Sequence, residues 1–345
     1  MSRSHVLKWA GRLVIGLLAL IGVLLVFTTV RASVLDGQAL EQPCADSLLV
    51  DIGERQIHFI AQGLDNPGPA VVLLPCLGCG SIVWQAVQPA LAESLRTYAY
   101  DPAGFAWSDP APEALSSQRE ADDLHAALVA LGETDVILVA FSASGTTTLL
   151  YLDQYTTPQV RGVVWVEGEA FTPEGESVFG EVSALMPEGV QRALIELGVG
   201  RVFYEQVMEP MQRTGITAEV WSMIEPQTFE RLMATFRTRR TLHAGTDLTA
   251  TYPAQQAAAS GLHIPAEIPV FALDADWAPD LVDLSPEEAA ETQAAEAARA
   301  EVWQAMAAAN PDGRYIPVEN SSHMIPLEQP QVVIEAIRDL AALVQ

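Results

Sequence analysis

The sequence predicts an α/β protein: a mostly parallel sheet covered by helices, with a helical block inserted late in the chain and a membrane-spanning helix ahead of it. Three observations carry that prediction. Short apolar runs rich in β-branched residues, such as Val71-Val72-Leu73-Leu74, Val136-Ile137-Leu138-Val139 and Val163-Val164-Trp165-Val166, alternate with segments of helical spacing. That is the pattern of parallel strands buried on both faces. From about residue 171 to 263 helical stretches dominate and no long β-branched run interrupts them. Leu13 to Val30 carries no charge, and a helix crosses a bilayer with roughly 17–25 such residues.

The N-terminal run has no polar face, which sets it apart from a core helix. Arg3, Lys8 and Arg12 precede it and Arg31 closes it, a bias that keeps the N-terminus in the cytoplasm and sends the remainder across. Residues 1–32 are therefore read as an uncleaved signal-anchor. The rival is a signal peptide cut near Val30-Arg31-Ala32, although such peptides usually have an apolar core of roughly 7–15 residues. Residues 33–46, with Gly37 and Pro43, read as a linker, and 47–345 as one domain whose cap spans about 171–263.

Within the domain, Ser47–Asp51 and Gln56–Gln62 alternate like antiparallel strands around Gly53-Glu54. Ala70–Leu74, Arg96–Tyr100, Val160–Val166, Ile268–Leu273 and Arg314–Val318 are the further strands, with another at Asp135–Phe141. Helical spacing marks 82–95, 118–131, 285–309 and 329–343, and in the inserted block roughly 176–196, 199–213, 217–223 and 226–240. Ser285-Pro286-Glu287-Glu288 has the cap residue, first-turn proline and third-position glutamate that begin a helix.

Charge and cysteine content exclude several functions. The chain has 44 acidic and 18 basic residues, a formal charge of −26, and its one lysine is Lys8. Nucleic acid as a partner needs clustered cations, which are missing. Cys44, Cys76 and Cys79 make neither a disulfide framework nor a zinc-ligand spacing. Cys76-Leu77-Gly78-Cys79 is read as structural, and export would permit a bridge involving Cys44. No dinucleotide-binding fingerprint or phosphate-binding loop occurs; no cofactor and no metal are expected.

The chemistry centres on Asp135–Tyr151, a strand that breaks at Phe141-Ser142-Ala143-Ser144-Gly145 and resumes as a helix. A serine at the apex of such a turn stands clear of the sheet, open to a base on one side and a substrate on the other. Four landmarks follow in order at the ends of expected strands: Leu74-Pro75-Cys76-Leu77-Gly78, Asp101-Pro102-Ala103-Gly104, Ala140-Phe141-Ser142-Ala143-Ser144-Gly145, and Ser321-Ser322-His323-Met324-Ile325-Pro326.

On these landmarks the chain from about Ser47 to its end resembles the α/β-hydrolases. The resemblance implies an eight-stranded, mostly parallel sheet with a helical cap over the strands' C-terminal edge. It makes Ser142 the nucleophile and His323 the base. The acid would be Glu167, after the sixth strand, or alternatively Asp276, after the seventh, with Asp274 third. The oxyanion hole would combine the N–H groups of Ala143 and Leu77. Asp101 resembles the family's structural aspartate. Ala140 and Ser144 stand where the elbow usually has glycines, and Pro75-Cys76 where His-Gly is common. The implied activity is that of a serine hydrolase acting on carboxylic esters, with amides second, of a small or apolar molecule. Val202, Phe203, Tyr204, Trp221, Met223, Phe229 and Phe236 would line an apolar pocket in the cap. The alternative is a membrane-tethered α/β-hydrolase fold that is catalytically weak or inactive and serves as a binding protein. Haloalkane dehalogenases and epoxide hydrolases of this family use an aspartate nucleophile, and position 142 is serine.

Overall fold

The structure is a computed structural model that describes residues 3–41, 43–168, 186–208, 224–277, 285–310 and 312–345. Among these, eight strands form one sheet: β1 (Ser47–Asp51), β2 (Gln56–Gln62), β3 (Ala70–Leu74), β4 (Thr97–Asp101), β5 (Asp135–Phe141), β6 (Gln159–Val166), β7 (Val270–Ala275) and β8 (Arg314–Val318), in the order β1-β2-β4-β3-β5-β6-β7-β8. β2 runs antiparallel to both β1 and β4, and the other pairs are parallel. The central strands carry the continuous apolar runs because both their faces are covered: Val136 to Phe141 are fully buried. Since β3, β5, β6, β7 and β8 point the same way, the loops that follow them meet at one edge of the sheet. That edge is where ligands bind in open α/β sheets.

The helices around the sheet are α2 (Gln88–Ala92), α3 (Ser117–Leu131), α4 (Ser144–Gln154), α9 (Pro286–Ala308), α10 (Ile325–Glu328) and α11 (Pro330–Leu343). The Ser116 hydroxyl accepts the Arg119 N–H at the start of α3, and left-handed Gly132 ends it. Ser285 and Glu288 form a reciprocal capping box at α9. The helix expected over 82–95 is divided into a 3₁₀ turn (Ser81–Trp84) and α2, because Pro89 sits in the first turn of α2 and cannot extend a helix from before it.

Between β6 and β7 lies the inserted block: α5 (Glu188–Glu196), α6 (Val199–Phe203), a π-helical turn (Tyr204–Met208), α7 (Pro226–Phe236) and α8 (Arg239–Ala259). The expected helical stretches at 176–185, 209–213 and 217–223, with Trp221 and Met223, lie outside the described residues. α8 was not legible as a helix beyond residue 240, since it contains Gly245, several threonines and Pro253. Packing overrides that poor propensity: Ala244, Leu248, Tyr252 and Ala259 form a buried stripe along it.

α1 (Arg3–Glu41) corrects the expected linker at 33–46: residues 33–41 continue the helix. Gly37 alone costs about 1 kcal/mol in a helix, and no proline intervenes before Pro43. The C-terminal third is also held by the inserted block. The Thr28 and Thr29 hydroxyls donate to Leu197 O at 2.7 and 3.2 Å. Arg31 pairs with Glu205 at 2.9 Å, and Asp36 with Arg201 at 3.1 Å and Arg239 at 2.8 Å. Ahead of this lies a surface-exposed apolar length, and Gly11–Glu41 contains a window of mean hydropathy 2.8, suited by length and composition to cross a membrane.

The cysteines bear out the structural reading of Cys76 and Cys79, and a bridge involving Cys44 is not formed. Cys76 and Cys79 are joined by a disulfide, and Cys44 is free and buried. Burial pushes the Cys44 thiol up to about 11, which keeps it protonated and inert.

Candidate active site

The turn after β5 is strained in the manner a nucleophile elbow requires. Ser142 has φ +58°, a left-handed backbone that non-glycine residues rarely adopt. The surroundings hold it there: Ser142 N–H donates to Val166 O at 3.0 Å, extending the β5–β6 ladder by one residue. Ala140 is fully buried between β3 and β6, and the Ser144 hydroxyl, in the second glycine's place, donates to Phe141 O at 2.9 Å. The tight approach falls one residue later than the usual elbow pattern. A Cβ on Gly145 would lie 2.6 Å from the Trp165 ring, and one on Gly168 2.0 Å from Trp165 Nε1. The Trp165 indole is thus wedged between the first turn of α4 and the turn after β6.

His323 follows β8. Its Nε2 lies 2.8 Å from Ser142 Oγ and its Nδ1 3.2 Å from Glu167 Oε2. Its ring packs beside Phe141 and Trp277, with centroids 5.3 and 5.8 Å away. Glu167 is also left-handed, at φ +45°. Its N–H donates to Leu273 O at 3.0 Å, and its Oε1 accepts the Ala275 N–H at 2.7 Å. The carboxylate is therefore fixed at both ends, one oxygen on the backbone of β7 and the other on the imidazole. With Nδ1–H donating to Glu167, Nε2 is left unprotonated and able to accept the Ser142 proton.

The other two carboxylates have different tasks. Asp276 is engaged by the backbone of the histidine loop, accepting Asn320 N–H at 2.9 Å and Ser321 N–H at 3.2 Å. It sits one residue past the end of β7, so it reaches the base of that loop while Nδ1 faces Glu167. Asp274 accepts the Tyr315 hydroxyl at 2.5 Å, and burial, reinforced by the nearby Glu167, pushes its carboxyl up to about 6. Glu328 clamps the same loop from α10, accepting the Ser322 N–H at 2.6 Å and the Ser322 hydroxyl at 2.7 Å.

Sequence reasoning missed Arg299. Its guanidinium lies 3.6 Å from Glu167 Oε2, over the rings of Trp277 and Trp303 at 5.3 and 4.9 Å, and also pairs with Glu296. It places a positive charge beside an otherwise buried carboxylate. The available signal was its being the lone basic residue of the alanine- and glutamate-rich α9, four residues before Trp303.

The candidate oxyanion donors come from two turns. Ala143 N–H directly follows Ser142, and Leu77 N–H lies in the loop after β3; among the described residues neither donates a hydrogen bond. That loop is braced twice. The Cys76–Cys79 disulfide closes it, with Cys79 N–H donating to Cys76 O at 3.0 Å. Below it, Asp101 accepts Ser81 N–H at 2.7 Å and the Ser81 hydroxyl at 2.8 Å, and meets His58 Nδ1 at 2.7 Å. A Cβ on Gly80 would lie 2.3 Å from Asp101 Oδ1, so only glycine fits there.

The pocket-lining set is only partly as expected. Phe229 and Phe236 are buried, and Phe236 stacks edge-on with Phe105 at 5.9 Å. Tyr204 is partly buried against the core. Val202 and Phe203 instead face outward, 37% and 56% exposed, because α6 turns its other side to α1. A cavity of about 430 Å³ behind α4, lined by Leu149, Trp165, Ile264, Trp303 and Met306 among others, includes neither Ser142 nor His323. Among the described residues no group of three or more His, Cys, Asp or Glu could hold a metal ion.

With the fold and this geometry in view, a sequence profile of the alpha/beta hydrolase family matches residues 71–336. The chain belongs to that family. No curated protein sequence matches this hydrolase. A thermophilic esterase from Thermogutta terrifontis aligns at 20% identity and a TM-score of 0.58, over 87% of this chain and 99% of that one. A putative epoxide hydrolase from Pseudomonas aeruginosa aligns at 18% identity and a TM-score of 0.62, over 86% and 95%. A bromoperoxidase from Bacillus anthracis aligns at 16% identity and a TM-score of 0.53, over 85% and 99%. At such identities the likeness is one of fold.

Proposed function

We propose that this hydrolase cleaves carboxylic esters, with amides second, of a small or apolar substrate through an acyl-enzyme. The observation that carries the reading is the line of contacts from Ser142 Oγ to His323 Nε2 (2.8 Å) and from His323 Nδ1 to Glu167 (3.2 Å). A serine hydroxyl is a poor nucleophile until a base takes its proton. Here Ser142 Oγ attacks the acyl carbon while its proton passes to His323, and Glu167 stabilises the imidazolium. Ala143 and Leu77 N–H groups receive the developing oxyanion. The C–O bond to the alcohol then breaks, the alcohol leaves with the His323 proton, and water repeats the sequence to release the acid. Asp276 and Glu328 position the histidine loop and take no part in proton transfer.

A fluorophosphonate probe and a short-chain chromogenic ester test this. Wild type should label and turn over, and Ser142→Ala and His323→Ala should do neither; equal labelling of Ser142→Ala would overturn the assignment. The second reading, a weakly active or inactive binding protein, is favoured by Pro75-Cys76 in the oxyanion loop. It predicts no turnover by the wild type across a panel of acyl chain lengths. The serine at 142 speaks against an epoxide hydrolase.

The anchor reading is retained as part of the proposal: residues 1–32 are uncleaved, and the domain lies on the non-cytoplasmic side. Full-length mass in the membrane fraction and protease sensitivity from the outer face are expected. Soluble protein beginning near Ser33 would establish a cleaved signal peptide and secretion instead.

A further inference from the structure

We propose that the outward face of α6, Val202 and Phe203, is a bilayer-contacting surface that seats the inserted block on the same membrane that holds α1. The inference rests on the reading of α1 as an uncleaved anchor and goes beyond it: a tether alone would leave the catalytic domain free to swing.

Where the block touches α1 sets the level of contact. Gly198, at φ +73° just before α6, comes so close that a Cβ there would lie 2.4 Å from Thr28 O. Thr28 belongs to the uncharged run that ends at Val30, three residues before Arg31. At 1.5 Å of rise per residue, the contact lies about 4–5 Å inside the first charge after the span. Backbone polar groups at that depth need partners. Leu197 O has them in the hydroxyls of Thr28 and Thr29.

Polarity then sorts along α1. The ion pairs all lie at Arg31 and Asp36, on the side away from the span: Arg31–Glu205, Asp36–Arg201 and Asp36–Arg239. Arg31, Asp36, Arg201, Glu205 and Arg239 are thereby paired in place, and Glu196, ahead of Gly198, meets His243 at 2.7 Å. What α6 leaves uncovered is apolar, Val202 and Phe203, and on the anchor Val26, Phe27 and Val30 are exposed as well. Gly198, which opens α6, meets α1 at Thr28 inside the uncharged run, so α6 begins at the boundary of the span and lipid is the occupant that fits. With a formal charge of −26 on the chain, attraction to anionic headgroups cannot drive the contact. It is apolar insertion, and zwitterionic lipid suffices. An inserted block fixed at the interface holds the C-terminal edge of the sheet at a constant height above the bilayer.

The test places an environment-sensitive thiol dye at single positions of the full-length chain in phosphatidylcholine vesicles containing doxyl-labelled lipid. Phe203→Cys is the reporter and Val202→Cys the second variant should the first fail to fold. Leu20→Cys reports the anchor, and Val129→Cys, on α3 and 55% exposed, reports aqueous surface. Cys44 is free but buried and is expected not to label, and the chain with no added cysteine is the blank. Apolar side chains of an interfacial helix sit about 5–10 Å deep, so quenching at 203 or 202 should exceed that at 129 by at least about threefold, strongest with shallow doxyl groups. Quenching at 20 but none above the level of 129 at 202 and 203 would overturn the proposal and leave the anchor standing. That result would also follow if a protein partner or a second copy covered α6. Absence of quenching at 20 would overturn both.

Discussion

Replacing Glu167 by glutamine should cost this enzyme about 10⁴ in kcat/KM, or about 5–6 kcal/mol of transition-state stabilisation. The magnitude follows from how the carboxylate is held. Oε1 accepts the Ala275 N–H at 2.7 Å, and Oε2 faces His323 Nδ1 at 3.2 Å, with the side chain fully buried. In Glu167→Gln the amide oxygen must stay on Ala275, because the reverse orientation would set two donors against each other. The NH₂ group is then forced toward Nδ1. It can only donate, so the imidazole shifts its proton to Nε2, where the Ser142 proton should go. The variant is nearly isosteric, and a thermal melt checks that it folds. Asp276→Asn is the paired control: it disturbs the Asn320 and Ser321 amides and should cost about tenfold or less. Initial rates on a chromogenic ester measure both. A Glu167→Gln rate within about tenfold of wild type, alongside a loss of about 10³ in Asp276→Asn, would refute the assignment and transfer the acid to β7.

Three further outcomes are expected. Burial pushes the Glu120 carboxyl up to about 7, above the unfolded value of about 4.3. Its stabilisation is full below the unfolded value and is lost as pH rises through 7; Glu120→Gln, which can still meet Thr147, should flatten the fall in Tm between about pH 5 and pH 8, and parallel curves would refute this. Gly145→Ala drives a methyl group into the Trp165 ring, 2.6 Å away, and should lower unfolding free energy in urea by about 1–3 kcal/mol; an unchanged midpoint would show that the indole can move. Replacing both Cys76 and Cys79 by serine loosens the loop that presents Leu77 N–H, and kcat should fall about 10²-fold if that donor is lost, with KM little changed; an unchanged kcat would remove Leu77 from the oxyanion hole.

Much of the fold was legible because its signals are local. The β5 and β6 runs, the capping box at Ser285 and the turn at Gly53 each lie within a few residues of the element they specify. Ser142 and His323 were legible for a different reason, since each follows a strand in a recognisable string of residues. What the sequence left open is long-range. His323 meets Ser142 across 181 positions and Glu167 across 156, and the choice between Glu167 and Asp276 depends on where the loop after β8 comes to rest. The supposed linker at 33–41 became helix through partners such as Arg201 and Arg239, more than 160 positions away. Val202 and Phe203 carry the hydrophobicity of a pocket, and only tertiary packing turns them outward.

The wedged indole of Trp165 has a consequence for how this active site can change. It keeps the first turn behind Ser142 and the turn that carries Glu167 one ring-width apart, and both backbones touching it are glycine. Enlarging residue 145 or 168 collides with the ring, and shrinking residue 165 leaves a void between the turns that carry Ser142 and Glu167. Each single step is therefore penalised, although a coordinated change of all three is sterically open. Positions 145, 165 and 168 form one unit of variation, and a library that samples them jointly can reach spacings of Ser142 and Glu167 closed to any point mutation.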